Sequence, residues 1–539
     1  MDFQQKDKKN KAVKKTKTLQ YEGYYGEEKP LKKALAENIK IIREILGEAD
    51  DLIIREVSLG QTKNKLGAVI FIDGLTNGTY LHDYILKELM LGMRQSNLSE
   101  KIYKKESFFE TIEKHALPIS DIEEVMDFKL LCEKLMSGDS IILFDGFQKG
   151  LGLDTKGWVD RGISEPTAET TVRGPQDSFN ETLRVNTMLI RRRIRDINLR
   201  VLKREVGAVT KTSLAIMYIE GIANESIISD VLSRIDLIDV DGIIESANVE
   251  ELIMDESKSI FPTVYATERP DKVAGNLLEG RIAIVTDGTP FVLILPVVFI
   301  QFFQATEDYY HHAIFSTFVR IIRYVAFFLV LLTPALYIAI TTFHQEMLPT
   351  DLLVSISGQR ESVPFPAVVE VLFMELVFEI LREAGLRMPR AIGSAISIVG
   401  ALVLGESAVS AGIVSSIMVI IVSLTAISSL IYPEYTFSSP LRLLRFAFIF
   451  LAAIFGLFGI WIGLFLLSIH LCGLRSFGVP YMYPIAPFNL QGMKDSFIKV
   501  GRSGLYKRPT IMTEEDIIRQ DDQQKNIRKR VNKRKGKKV

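Results

Sequence analysis

The sequence predicts an α/β soluble N-terminal region with two similar subdomains, followed by an α-helical multi-span membrane domain. Three observations carry this expectation. The first 280 or so residues mix charged and apolar positions as a soluble protein does, whereas residues 290–471 run through repeated long apolar stretches. Short, continuously apolar runs recur in the first half at a nearly fixed offset. A row of acids, Glu370, Glu375, Glu379 and Glu383, lies inside one of the later apolar stretches. Charge at bilayer depth is costly, so such residues mark a pathway or a partner.

The chain has 539 residues, enough for two or three domains. The formal net charge is +0, but both ends are basic. Residues 1–20 hold seven Lys and two Asp, and residues 521–539 hold nine Lys or Arg and two Asp. Basic tails on a membrane protein point to the cytosolic side and anionic lipid. Plain solvated tails are the alternative. Neither tail interleaves aromatics, so nucleic acid is not expected as a partner. Two cysteines, Cys132 and Cys472, give neither a disulfide framework nor metal spacing. The N-terminus lacks the apolar core of a secretion signal, which keeps the head on the side where it is made.

Residues 1–44 read as a basic, disordered tail. The repeat follows. Ala68-Val69-Ile70-Phe71-Ile72-Asp73-Gly74 matches Ala215-Ile216-Met217-Tyr218-Ile219-Glu220-Gly221, 147 positions on. Ser140-Ile141-Ile142-Leu143-Phe144-Asp145-Gly146 matches Ile282-Ala283-Ile284-Val285-Thr286-Asp287-Gly288, 142 positions on. Runs without alternation suit strands buried on both faces, and each ends in turn chemistry. Helical patterns near His82–Leu91 and Ser226–Ile235 complete two subdomains, placed at 45–160 and 205–288. Matched pairs at one offset indicate duplication.

Between them, 161–204 reads as a connector with a helix over Asp177–Arg204, opened by Arg173-Gly174-Pro175 and carrying Arg191-Arg192-Arg193. Salt bridges within the protein or between subunits are the favoured role for these arginines, with a phosphate or headgroup site as the alternative. Asp73, Asp145, Glu220 and Asp287 form either a catalytic set or strand-end turns, and turns are favoured. There is no P-loop, GxGxxG or HExxH, and His311-His312 reads as packing or surface. The chain is therefore not expected to be an enzyme, and no cofactor or metal is implied.

The membrane domain is placed at 289–475. Ile322–Phe343, Ala408–Tyr432 and Phe446–Leu471 are each long enough to cross roughly 30 Å of hydrocarbon. Ala391–Leu404 is short and rich in small residues, which suits close helix packing. Pro290–Phe303 reads as an interfacial or re-entrant piece. Along Pro364–Leu381, Glu375, Glu379 and Glu383 share one helix face with Arg382 beside them, while Glu370 points about half a turn away from Glu379. The stripe either lines an ion pathway or forms an ion-paired contact, with Arg387 and Arg390 as the expected partners. Arg387/Arg390 and Arg442/Arg445 read as cytosolic turns. A single further crossing over Phe446–Leu471 then strands the basic segment 476–539 outside, in conflict with its charge.

Several motifs recur together: Arg173-Gly174-Pro175, Asp287-Gly288-Thr289-Pro290-Phe291, Glu307-Asp308-Tyr309-Tyr310, Gly358-Gln359-Arg360-Glu361-Ser362-Val363-Pro364-Phe365-Pro366, Met374-Glu375, Leu381-Arg382-Glu383-Ala384-Gly385 and Phe477-Gly478-Val479-Pro480-Tyr481. With these, residues 50 to 495 or so resemble the A subunit of the spore germination receptor family of endospore-forming bacteria. The resemblance implies a multi-pass protein of the spore inner membrane with a cytosolic head. It also implies self-association into a ring, with a transporter-like B subunit that senses nutrient and a lipoprotein C subunit as partners. The implied function is a nutrient-gated ion-conducting subunit that starts germination. A non-conducting scaffold that relays the signal, or amplifies ion release beside another partner, is the alternative. The family-motif positions singled out are Asp287, Gly288, Pro290, Asp308, Gly358, Arg360, Glu361, Pro364, Pro366 and Pro480.

Overall fold

The computed structural model describes residues 29–58, 66–87, 122–157, 166, 169–256, 258–387, 405–501, 504, 507–509, 511–513 and 519. The first repeat opens with helix α1 (Leu35–Leu46), then β1 (Leu52–Ser58), β2 (Leu66–Ile72), β3 (Ile122–Val125), α2 (Phe128–Ser137), β4 (Ser140–Phe144) and β5 (Gly150–Leu153). The second has α3 (Leu183–Arg193), β6 (Leu199–Val206), β7 (Thr212–Ile219), α4 (Glu225–Asp236), α5 (Ser246–Ile253), β8 (Tyr265–Thr267), α6 (Pro270–Leu277), β9 (Ile282–Thr286) and β10 (Val292–Leu295). The sheet orders are β1-β2-β4-β5-β3 and β6-β7-β9-β10-β8, the same path twice, with antiparallel pairing throughout.

The apolar runs lack alternation because both faces of each sheet are covered. Ala68, Ile70 and Ile72 pack on one side of β2 with Leu35, Ile42 and Leu131, and Val69 and Phe71 pack on the other with Leu81 and Ile85. In the second sheet Ala215 and Met217 face Leu189 and Val273, while Leu214 and Ile216 face Ile227, Val231 and Ile235.

The duplication extends to the helix starts. Asp145 accepts a hydrogen bond from the Leu35 amide at 3.0 Å, and Asp287 accepts from the Leu183 amide at 2.9 Å. The following glycine amides, Gly146 and Gly288, donate to the carbonyls of Lys33 and Glu181 at 2.8 and 2.7 Å. Asn38 clamps both backbone groups of Lys32, and Asn186 does the same to Asn180. Each strand-end aspartate thus satisfies an amide that the helix start leaves unpaired. The other two strand-end acids form ion pairs instead: Asp73 pairs with Arg184 at 2.8 Å, and Glu220 pairs with Arg200.

Three expectations change here. Helix α1 lies within the stretch read as a tail, because a Leu35, Ile42, Ile45, Leu46 face is buried beneath its charged exterior. The helix expected over 177–204 runs only Leu183–Arg193, and Leu199–Val206 is a strand. Pro290–Phe303, expected as an interfacial or re-entrant piece, supplies β10 and a buried 3-10 turn, Phe299–Phe303, that packs on the later helices. The arginine row, by contrast, makes the favoured salt bridges within the chain, Arg191 on buried Asp51 at 2.7 Å and Arg193 on Asp177 at 2.5 Å. The outer turns of the His82–Leu91 pattern, Ala391–Leu404, Arg390 and the tails 1–28 and 520–539 lie outside the described residues.

Past the head come α7 (Ala313–Thr342), α8 (Thr350–Arg360), α9 (Ala367–Arg387), α10 (Ser416–Ser429) and α11 (Tyr435–Gly473). Two of these, Ala313–Thr342 and Thr436–Gly473, are long and apolar enough to cross a membrane. Helix α7 begins nine residues before the expected span, and α10 is shorter than the expected Ala408–Tyr432.

Helix α11 is a hairpin. Its backbone leaves helical geometry at Gly456 (φ 61°, ψ −140°). The ring of Phe261 lies 6.5 Å from Phe437 near one end and 6.2 Å from His470 near the other. In a straight helix those two residues stand about 50 Å apart at ~1.5 Å per residue. The arms touch through glycines: a Cβ on Gly459 meets the Leu451 carbonyl oxygen at 2.1 Å, and one on Gly463 meets Phe448 at 2.8 Å. At the tip, Gly456 meets the end of α7 at Phe343 and His344. The chain therefore returns to the head, where Phe477, Val479 and Tyr483 are buried.

Residues 475–513 continue as a strap over the second repeat. Phe477, Val479, Tyr483 and Met512 join its core. In the first repeat, Thr76 pairs with Lys156 just after β5, and Gly138 packs against Leu75 and Lys156. In the second, β10 runs on toward the helices instead. Thr513 takes the place of Lys156 against Ala223, and Gly280 packs against Ile222, Met512 and Thr513. A distant segment completes the second copy where local chain completes the first.

Candidate functional site

Helix α9 follows Pro364 and Pro366, both exposed, in a link that leaves α8 at Glu361. The Pro366 carbonyl accepts from the Val369 and Glu370 amides and so starts α9. Proline before a first turn loses no helical hydrogen bond. Gly358 is on the open side of α8 with nothing near its Cβ position. Arg360 turns inward to Glu370, with 3.9 Å between Nε and Oε2.

Glu370 is buried against the start of α10. Its Oε1 accepts from the Ser415 amide and hydroxyl, both at 2.5 Å. Glu375 is fully buried on another face, and Arg445 of the hairpin places Nη2 3.0 Å from its Oε2. This is an ion-pair contact without hydrogen-bond geometry, since neither Glu375 oxygen has a hydrogen-bond donor among the described residues. Glu379 accepts from Arg442 Nη1 at 2.8 Å and Arg445 Nη2 at 3.0 Å. Arg382 donates to Ser438 Oγ at 3.3 Å, and Glu383 points out to Arg387, one helical turn away, at 2.7 Å.

The geometry thus brings Glu375, Glu379 and Arg382 together along one seam between α9 and the first arm of the hairpin. Glu370 and Glu383 stand apart from it. Of the expected partners, Arg387 reaches only Glu383. The pair expected at a cytosolic turn, Arg442 and Arg445, supplies the counter-charge, and Arg445 is 1% exposed. A pattern that points to this is Ser438, Arg442 and Arg445 at i, i+4, i+7, one helix face complementary to 375, 379 and 382. The outward face of α9 carries Phe373, Leu376 and Ile380, all exposed and apolar.

The other motif residues gather where the head meets the helices. Asp308 is buried and accepts from Arg323 Nη1 at 2.9 and 2.7 Å and from Arg320 Nε at 3.3 Å. Arg320 also binds Asp495 of the strap, by side chain at 3.1 Å and by carbonyl at 2.5 Å, and Tyr309 donates to Asp495 at 2.9 Å. Burial pushes the Asp495 carboxyl up, and Arg320 opposes that shift. Around these ions, Phe302 stacks on Phe437 at 4.9 Å and Phe303 stacks on Tyr324 at 4.3 Å. Phe299 meets Phe327, Phe437 and Tyr481 edge-on. Pro480 pairs with Arg475 in the short ribbon that begins the strap. Asp287 and Gly288 serve the α3 start, and Pro290 opens the turn into β10.

Chemically, the seam and the joint hold fixed charges and carry no nucleophile–base pair. Cys132 is buried and its thiol is pushed up to about 12, chiefly by desolvation, which leaves it unreactive. No group of three or more potential metal ligands occurs among the described residues. His312 accepts from the Ile314 amide at 3.5 Å at the start of α7.

Comparison with known proteins gives a consistent result. The model of the Bacillus/Clostridium GerA spore germination protein family matches residues 40–511. The chain is similar to spore germination protein KA of Bacillus subtilis (strain 168), 47% identical over 91% of this chain and 89% of that one. It is also similar to spore germination protein GerLA of Bacillus cereus, 37% identical over 90% of this chain and 97% of that one. Among solved structures it is similar to the N-terminal domain of the A subunit of the Bacillus megaterium spore germinant receptor GerK3. That match has 36% identity and a TM-score of 0.40, covering 51% of this chain and all of the other. The chain belongs to the GerA family of spore germination proteins.

Proposed function

We propose that the chain is the A subunit of a nutrient germinant receptor in the spore inner membrane. In this reading its head is cytosolic, it self-associates, and it acts beside a transporter-like B subunit and a lipoprotein C subunit. Its helical part crosses the membrane several times and conducts ions when nutrient binds. The observation that supports this reading is the charged seam: Glu375 and Glu379 of α9 meet Arg442 and Arg445 in the first arm of the apolar hairpin. Charges held at such depth are expensive and are kept where a pathway or its gate needs them. The two long apolar segments and the return of the chain to the head fit a helical domain with both of its ends on one side.

Within this reading the stripe acts as a gate-side contact that holds α9 against the hairpin, since its acids are answered inside the chain. A scaffold that relays the signal without conducting has the same seam and is the second reading. Reconstitution in vesicles separates the two: conductance of the assembled receptor is expected from the first and its absence from the second. Glu379→Gln is expected to change nutrient-triggered cation release while assembly is kept. Release indistinguishable from the unmodified receptor removes Glu379 from the gate.

A further inference from the structure

The link between α10 and α11 carries a buried acid that neither the seam nor the Asp308 network uses. Glu434 lies outside both apolar helices, at the level where the head meets them, and is 5% exposed. Its Oε1 accepts from Thr436 Oγ1 at 2.5 Å, whereas Oε2 is buried with no hydrogen-bond partner among the described residues. The charged and titratable groups acting on it come from each element around it. They are Lys272 on α6, Glu169 before α3 and Glu250 on α5. The buried phenols of Tyr265 on β8 and of Tyr481 in the strap also feel its charge, and Arg323 of α7 acts on Tyr265.

The one ammonium nearby is already committed. Lys272 Nζ sits 3.0 Å from Glu169, against the Tyr265 hydroxyl, and 4.1 Å over the Tyr265 ring. Glu169 also accepts from Tyr265 and Thr267. Tyr481 turns its hydroxyl away to the Pro262 carbonyl at 2.9 Å. Three carboxyls, Glu434, Glu169 and Glu250, are therefore set around one ammonium. A second carboxylate there has no counter-charge, and burying it bare is far costlier than burying the neutral acid. Desolvation accordingly lifts the Glu434 carboxyl to about 8.

We propose that Glu434 is a proton-binding site of the joint, carrying its proton while head and helices are packed and releasing it when water enters between them. On release the O–H bond breaks, the electron pair stays on the carboxylate oxygen and the proton passes to water. The folded value lies above the ordinary carboxyl range, so the packed joint binds more protons than the opened one. The stabilisation is full below the ordinary carboxyl range and is lost as pH rises through about 8. The proposal goes beyond the receptor reading and does not depend on conduction.

Infrared difference spectroscopy on the full chain in lipid nanodiscs tests it. The unmodified protein is expected to show a protonated-carboxyl band at neutral pH that fades as pH passes about 8. Glu434→Gln is expected to lose that band, and Glu434→Asp, which keeps the acid, to shift it. Thermal unfolding of Glu434→Gln should fall less with rising pH than that of the unmodified chain. Spectra of the three proteins that superimpose overturn the proposal. A joint with no such band that Na⁺ or K⁺ stabilises at fixed pH overturns it too, and makes the pocket a metal-cation site.

Discussion

Replacing Arg445 with Met tests the seam most directly. Arg445 is 1% exposed and stands 3.0 Å from both Glu375 and Glu379. With charge centres about 4 Å apart, each contact is worth about 4 kcal/mol at an effective dielectric near 20. Truncating one partner of a buried pair leaves the other bare, at a cost of about 3–5 kcal/mol. The two acids are not equivalent, because Glu379 keeps Arg442 at 2.8 Å while Glu375 keeps no partner among the described residues. Arg445→Met alone should therefore destabilise by about 3–5 kcal/mol. Adding Glu375→Gln should restore most of that loss, leaving about 1 kcal/mol or less, since replacing a whole buried pair is often near neutral. Adding Glu379→Gln should restore nothing and strand Arg442 as well. Equilibrium unfolding in mixed micelles of Arg445→Met, Glu375→Gln and the variant with both, beside the unmodified chain, completes a double-mutant cycle. A cost for Arg445→Met below about 1 kcal/mol, or effects of Arg445→Met and Glu375→Gln that simply add, refutes the reasoning.

Other consequences follow from the hairpin and the duplicated helix starts. Gly459→Ala places a Cβ 2.1 Å from the Leu451 carbonyl oxygen, so the arms must part at a cost of about 1–3 kcal/mol. Gly473→Ala, with open space around it, is the control, and equal melting temperatures for the two would contradict the tight turn. Asp287→Ala removes the acceptor of the Leu183 amide and should cost about 0.5–2 kcal/mol. Asp145→Ala should cost a similar amount at Leu35. Hydrogen exchange should rise first in α3 for the former and in α1 for the latter, and uniform exchange in both variants would count against the shared capping role.

The repeat was legible because strands buried on both faces have no polar alternation, so the paired apolar runs stood out at one spacing. Helix α1 was not, since its apolar face is narrow and interrupted by Lys40, Arg43 and Glu44 in a basic stretch. The acid stripe was visible from i, i+4 spacing, but its partners were sought among sequence neighbours. Arg442 and Arg445 lie more than sixty positions from Glu379, and only the fold brings them near. The hairpin was hidden for a different reason. Its apolar run is continuous, and a single glycine at φ 61° reverses the chain without any polar turn residue. Glu434 gives no signal, because an acid beside proline at an apolar boundary reads as a solvated turn.

The strap carries a consequence for how the protein is made. Thr513 fills against Ala223 and Gly280 the place that Lys156 fills in the other copy. Chains emerge from the ribosome N-terminus first, and domains generally fold in that order. The first α/β unit is complete long before the apolar helices are translated. The second must wait for residues 512–513, which leave the ribosome only after every apolar helix has done so. Its last slot thus closes only when the whole apolar region has already been made, so the two copies of one fold mature at opposite ends of synthesis.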